Sequence, residues 1–232
     1  MKIEIFADAQ TVAEEATRFI AAEAQSAIAE RDRFVFAVSG GHTPWIMLRA
    51  LAREDVAWDK VHLFQVDERV APAGDPDRNL THLRASLLEH APLPPEQLYA
   101  MAVESSDLQS GAKEYAKVLE KIAGAPPVFD LVHLGLGPDG HTASLVPGDP
   151  VSQVSDADVG VTGVYQGRRR MTLTFPVLNR ARRILWLATG AEKVEMLKRL
   201  SKGDPSIPAG RVNQESALAF VDREAAGGLG KS

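Results

Sequence analysis

The chain has 232 residues, 45% apolar and 25% charged, the balance of a globular protein that buries its core without staples. It contains no cysteine, which excludes disulfides, thiolate metal sites, iron–sulfur clusters and a cysteine nucleophile. Lys and Arg number 26 against 31 Asp and Glu, a formal charge of −5, so a broad electrostatic grip on nucleic acid or an anionic membrane is not expected. An anionic ligand must then be caught in a local pocket against the overall field. Met1–Asp8 lacks the apolar core of a signal peptide, and no run approaches the roughly 18 apolar residues of a membrane span. A soluble, cytoplasmic protein is expected.

Ile3–Ala7 alternates like a short strand. From Thr11 to Arg31, Val12, Ala16, Phe19, Ile20, Ala24, Ala27 and Ile28 recur at helical spacing. Phe34–Val38 is a continuous apolar run, as in a strand covered on both faces. It ends in Ser39-Gly40-Gly41-His42-Thr43-Pro44, after which Trp45–Ala52 reads as helix. Val61–Val66 is a strand ending at Asp67-Glu68-Arg69, and a polar loop, 71–78, leads into a helix from Leu80 to about His90. Beyond a proline-rich spacer, Leu108–Ala123 is helical and Phe129–Leu134 is a third buried strand, ending in Gly135-Leu136-Gly137-Pro138-Asp139-Gly140-His141. Val159–Tyr165, Met171–Phe175 and Arg183–Ala188 read as strands, Thr189-Gly190 opens a helix to about Leu200, and Ala217–Val221 is a last strand. Ala225–Ser232 reads as a frayed tail. Alternating strands and helices, without repeat or linker, predict one Rossmann-like α/β domain over residues 1–232. Its sheet should be mostly parallel, with helices on both faces.

In such a sheet ligands bind outside the carboxyl ends of the strands. The segments at Ser39, Asp67, Gly135 and Thr189 each follow a strand, so all four should open onto one edge. Gly40 and Gly41 allow close backbone approach, Thr43 suits an N-cap and Pro44 the first helical position. Together they describe a ring of free N–H groups at a helix N-terminus, an anion site, although a plain strand-to-helix turn has the same letters. Gly135-x-Gly137-x-x-Gly140 matches the dinucleotide fingerprint, but Pro147, Gly148 and Pro150 leave no room for its helix. Pro138-Asp139-Gly140 instead reads as a tight turn that delivers His141 to the strand edge. Asp67-Glu68-Arg69 offers acids and a guanidinium, or simply a charged turn. Lys193 falls in the first turn of a helix, where the dipole disfavours a cation, which suggests a bound anion. His62 and His133 read as structural, Arg168-Arg169-Arg170 as a solvated strand entrance, and Trp45, Trp58 and Trp186 as core. Neither a ligand-spaced histidine cluster nor a Gly-x-Ser-x-Gly elbow is present.

Four blocks, in order, resemble the 6-phosphogluconolactonase family, within the larger group that includes glucosamine-6-phosphate deaminase. They are Val38–Pro44, Val66–Val70 with Asn79 downstream, Leu134–Pro147, and Arg170–Thr174 through Leu178-Asn179 to Gly190–Lys193. The resemblance implies hydrolysis of 6-phospho-D-glucono-1,5-lactone to 6-phosphogluconate in the oxidative pentose phosphate pathway. It implies no metal and no organic cofactor. By position, His141 is the expected general base and Asp139 its acidic neighbour, with Asp67 and Asp139 both open as the carboxylate that orients the ring. Gly40, Gly41, Thr43, Asp67, Arg69 and Lys193 are the expected substrate-binding set. Histidine, with a reference pKa of about 6.5, suits deprotonation of water near neutral pH. Deaminases continue the histidine block with a Phe-Asn-Glu-type stretch, whereas Thr142–Pro147 here carries no acid, which favours the lactonase. A non-catalytic sugar-phosphate sensor would keep the anion site without needing His141. No nucleic-acid, membrane or obligate protein partner is expected.

Overall fold

A computed structural model describes residues 1–229. Seven strands form a parallel sheet: β1 (Lys2–Phe6), β2 (Phe34–Val38), β3 (Val61–Gln65), β5 (Leu98–Tyr99), β6 (Leu131–Gly135), β9 (Arg183–Ala188) and β10 (Ala217–Asp222). Their order is β1-β10-β9-β6-β2-β3-β5, with every pairing parallel. From β2 the chain crosses outward to β3 and β5, whereas from β6 it crosses the other way to β9 and β10. The order therefore reverses between β2 and β6, which opens a crevice at their carboxyl ends.

Strand alternation sends Phe34, Phe36 and Val38 to one face of the sheet, and Val35 and Ala37 to the other. The first face is covered by α1 (Ala9–Arg31) and α2 (His42–Leu51). The second is covered by α4 (Leu108–Ala123) and α6 (Val194–Ser201). This two-sided burial is why β2 and β9 are nearly unbroken apolar runs, each large side chain contributing about 1.5–3 kcal/mol. Helix starts are chemically marked. Asp8 accepts the Thr11 N–H at 2.8 Å, and Asp107 accepts those of Gln109 and Ser110.

The second sheet departs from the sequence expectation. β4 (Asp67–Arg69), β8 (Arg170–Leu173) and β7 (Val159–Val161) form an antiparallel sheet in the order β4-β8-β7, separate from the parallel one. Asp67-Glu68-Arg69 is thus a strand and not the charged turn that was its alternative reading, with Glu68 fully buried. Its carboxylate accepts the main-chain N–H groups of Arg69, Asn79 and Leu80, each at 2.8 Å, and the Gln65 amide at 2.9 Å. That satisfaction lets a charge sit in the interior. The helix expected from Leu80 is α3 (Asn79–Leu83) followed by a π-helical turn at Arg84–Leu88. A short helix not foreseen, α5 (Phe175–Asn179), follows β8. The expected frayed tail is corrected at its start. Ala225–Gly228 forms a 3₁₀ turn in which Ala225 is buried and its N–H bonds Asp222 Oδ1 at 2.8 Å. The remainder of that tail, residues 230–232, lies outside the described residues.

Candidate active site

A cavity of about 570 Å³ opens at the carboxyl edge of the parallel sheet, and all four strand-end segments line it. Of the expected site residues, Gly40, Gly41, Thr43, Asp67, Arg69, His141 and Lys193 face this space, while Asp139 stands behind His141.

The Gly135 loop is a tight turn. Gly140 N–H bonds Gly137 O at 3.0 Å, and Gly137 N–H bonds His141 O at 2.8 Å. No long helix follows, so the dinucleotide-like letters carry no pyrophosphate site. The His141 ring lies directly over Gly137, where an added Cβ would sit 2.1 Å from Nδ1; only glycine allows this packing. Asp139 Oδ1 accepts both the main-chain N–H of His141, at 3.1 Å, and the ring Nδ1–H, at 2.5 Å. Asp139, not Asp67, therefore orients the imidazole. Burial pushes the Asp139 carboxyl up, but the hydrogen bonds from His141 and Tyr165, with the imidazole charge, hold it below the usual carboxylate range. A carboxylate on Nδ1 leaves Nε2 as the basic nitrogen of a ring lining the cavity.

Alternation along β4 turns Asp67 and Arg69 toward the cavity and Glu68 away from it. Asp67 accepts the Ser144 hydroxyl at 2.5 Å and the Asn79 amide at 3.2 Å, and Arg69 bonds Asn79 Oδ1. Asn79 in turn reaches Gly40, where an added Cβ would collide with Oδ1 at 2.1 Å. Gly40 is thus needed to seat β4 against the loop after β2.

The Ser39 loop differs in detail from the expectation. The N-cap of α2 is Gly41, at φ 130°, so His42 and Thr43 are already helical and Thr43 is not the cap. Its hydroxyl instead pairs with Thr189 Oγ1 at 2.8 Å, tying the first turn of α2 to the loop after β9. The Ser39 N–H is not free, because His133 Nδ1 accepts it at 3.3 Å. The N–H groups of His42 and Thr43 open the helix and have no intrahelical acceptor, which suits an anion. Lys193 closes a 3₁₀ turn, Ala191–Lys193, and is the N-cap of α6, its side chain four-fifths buried. Its nearest carboxylate is Glu192 at 3.7 Å, too far for a strong pair. Gly190 is held beside it by Asp222, which accepts the Gly190 N–H at 3.0 Å.

Two residues expected as solvated or core groups line the cavity instead. Arg170 is buried and lines the cavity, its guanidinium over the Tyr165 ring at 5.0 Å and bonded to Gln166 Oε1 at 3.1 Å. Burial pushes this guanidinium down; Asp67 opposes the shift and Arg69 adds to it. Its Nε has no hydrogen-bond partner, so the site holds a costly, incompletely satisfied cation. Trp45 lines the cavity stacked on His82, centroids 3.9 Å apart, whereas Trp58 and Trp186 are core. The available signal for Arg170 was strand alternation through the Arg168–Arg170 triplet, which puts Arg168 and Arg170 on one face and Arg169 on the other; Arg168 and Arg170 both line the cavity. Among the described residues no group of three His, Asp or Glu is placed to hold a metal ion.

The chain matches the family described as glucosamine-6-phosphate isomerases/6-phosphogluconolactonase over residues 7–220. It is 34% identical to a 6-phosphogluconolactonase of Synechocystis sp., covering 97% of each chain. It is 35% identical to one of Mycobacterium tuberculosis, covering 98% of each. Among solved structures it resembles the 6-phosphogluconolactonase of Trypanosoma brucei, with a TM-score of 0.88 at 27% identity over 99% of this chain and 98% of that one. The chain belongs to the glucosamine-6-phosphate isomerase/6-phosphogluconolactonase family and groups with its 6-phosphogluconolactonases.

Proposed function

We propose that this protein hydrolyses 6-phospho-D-glucono-1,5-lactone to 6-phosphogluconate, with His141 as general base. The observation that carries the mechanism is the 2.5 Å bond from His141 Nδ1 to Asp139, on a ring that lines a cavity rich in cations. The lactone's 6-phosphate is placed at the paired N-termini of α2 and α6, against the His42 and Thr43 N–H groups and Lys193. Its ring then reaches toward His141, with C1 between that imidazole and the guanidinium groups of Arg69 and Arg170.

His141 Nε2 takes a proton from water as the oxygen attacks C1. Asp139 stabilises the imidazolium that results, much as a buried carboxylate does in other base–acid pairs. Negative charge builds on the carbonyl oxygen, where the two arginines are already fixed and need little reorganisation. As the intermediate collapses, the C1–ring oxygen bond breaks and the imidazolium returns its proton to the departing oxygen. The product is an open-chain carboxylic acid, which releases its proton to solvent to give the carboxylate, with no covalent intermediate on the protein. The segment after His141 supplies no carboxylate for amino-sugar ring opening; Ser144 there donates to Asp67 instead.

The test is a coupled assay in which glucose 6-phosphate is oxidised in situ and disappearance of the lactone is followed. Wild-type protein should accelerate the disappearance. His141→Ala should lose about 10²–10⁴-fold in kcat while binding 6-phosphogluconate nearly as well, because a neutral base adds little to ground-state affinity. A variant that changes only KM would remove His141 from the base role.

A further inference from the structure

The connection between β7 and β8 carries a group that the hydrolysis above does not use. Its tip, Tyr165–Arg168, turns through Gln166 at φ 50° and Gly167 at φ 79°, two successive left-handed residues that suit a tight antiparallel hairpin. The turn brings Tyr165 against the Gly135 loop, which belongs to the other sheet. Its hydroxyl donates to Asp139 Oδ2 at 3.0 Å and lies 3.5 Å from His141 Nδ1, and the two rings meet edge to face at 5.6 Å. The Arg170 guanidinium lies over the Tyr165 ring. Neither Tyr165 nor Asp139 is among the residues lining the cavity, so the hydroxyl acts on the reaction only through its neighbours.

We propose that Tyr165 is a positioning residue for the His141–Asp139 pair: its hydroxyl fixes the carboxylate in the rotation that keeps Oδ1 on His141 Nδ1. The inference rests on the reading of His141 as the base. Asp139 sits on a turn with its side chain 36% exposed, and a carboxylate's last torsion is broad and nearly two-fold. Left to solvent, it would exchange Oδ1 for Oδ2 and loosen the imidazole. Oδ1 already accepts two bonds from His141, and Tyr165 is the one protein donor to Oδ2 among the described residues. The hairpin tip is itself tied down. Arg168 bonds Asp77 at 2.8 Å and Asp75 at 3.1 Å, and Arg170 bonds Gln166. One short hairpin therefore connects the base's carboxylate to a cation of the cavity wall. A rigid second partner of this kind is how orienting groups hold a catalytic ring within a few tenths of an ångström.

Tyr165→Phe keeps the ring, its contact with His141 and its place under Arg170, and removes only the hydroxyl. We expect kcat on the phosphorylated lactone to fall about tenfold, with KM and the affinity for 6-phosphogluconate within twofold of wild type. The downfield proton resonance of His141 Nδ1–H should move or broaden, with Asp139→Asn, which abolishes it, as the assignment control. Tyr165→Leu, which also removes the ring, should fall further. Wild-type kcat with an unmoved resonance in Tyr165→Phe overturns the proposal, and so does a loss confined to KM. A wild-type-like Phe variant beside an impaired Leu variant also overturns it, because ring packing would then account for the effect. An inactive wild-type protein, or a fully active His141→Ala, overturns the base assignment and this proposal with it. A negative Tyr165 result alone leaves the base assignment standing.

Discussion

At the scale of single residues, the proposed base is defined by what fixes it rather than by being a histidine. His141 has a carboxylate on one ring nitrogen, a glycine beneath the ring and a phenol beside the carboxylate. The glycine offers the sharpest test, because it contributes no chemistry of its own. In Gly137→Ala the new methyl would lie 2.1 Å from Nδ1 and 2.3 Å from Cε1, so the ring must move. The backbone at Gly137 is outside the positive-φ region, and alanine therefore adds no strain of its own. Moving the ring breaks the short bond to Asp139, and displacements near 1 Å cost about 10²-fold in well-aligned sites. We expect kcat to fall by about that factor, with the melting temperature within a few degrees of wild type. Steady-state kinetics beside a thermal melt decides it; near-normal turnover would show that the ring does not need this position.

At the scale of elements, legibility followed the type of force that shapes each one. β2, β9 and α4 match their expected bounds, because apolar runs, helical periodicity and the Asp107 cap are local signals. The loop ends at Ser39, Asp67, Gly135 and Thr189 were legible for a topological reason: parallel strands send all their carboxyl ends to one edge. Two strands of the small sheet, β7 and β8, were legible, but β4 and its antiparallel pairing were not, since that pairing joins segments about 100 positions apart. Tyr165 was missed for the same cause, because its partner Asp139 is 26 positions away, on the turn after β6. β6 also holds a group whose meaning is energetic. His133 is fully buried, and desolvation pushes it down to about 3. In the unfolded chain a histidine takes its proton near pH 6.5, whereas the folded one stays neutral until about pH 3. Between these values the unfolded state binds one more proton, so stability is full above about pH 6.5 and declines as pH falls, by up to about 1.4 kcal/mol per unit. From pH 7 to pH 5 wild type should lose about 2 kcal/mol from this source. His133→Asn, which keeps an acceptor for Ser39, should be weaker at pH 7 but lose correspondingly less on acidification. Parallel pH dependences in urea denaturation would show that His133 does not contribute.

At the scale of the whole molecule, two sheets meet at one cavity and divide its work. The parallel sheet supplies the helix N-termini and His141, and the small sheet supplies Asp67, Arg69 and Arg170. A chain with net charge −5 thereby gathers Arg69, Arg168, Arg170 and Lys193 around a single opening, which only a local arrangement can achieve. Under the proposed function these cations face two negative centres, the phosphate and the developing oxyanion, and removing one centre leaves part of the set unpaired. Plain glucono-1,5-lactone keeps the reacting carbonyl and lacks the phosphate, so it isolates that half. Each charge-assisted hydrogen bond is worth roughly 1.5–3 kcal/mol, and losing two or more should cost at least about 10²-fold in kcat/KM. Because the distant phosphate also aligns C1 with His141, part of the loss should appear in kcat and not only in KM. The loss should be smaller in Lys193→Ala, whose site has already given up one partner of the phosphate, so the two changes should be less than additive. The measurement is kcat/KM for both lactones with both proteins. Equal values for the two lactones in wild type would remove the phosphate from the α2 and α6 termini, and strict additivity would remove Lys193 from it.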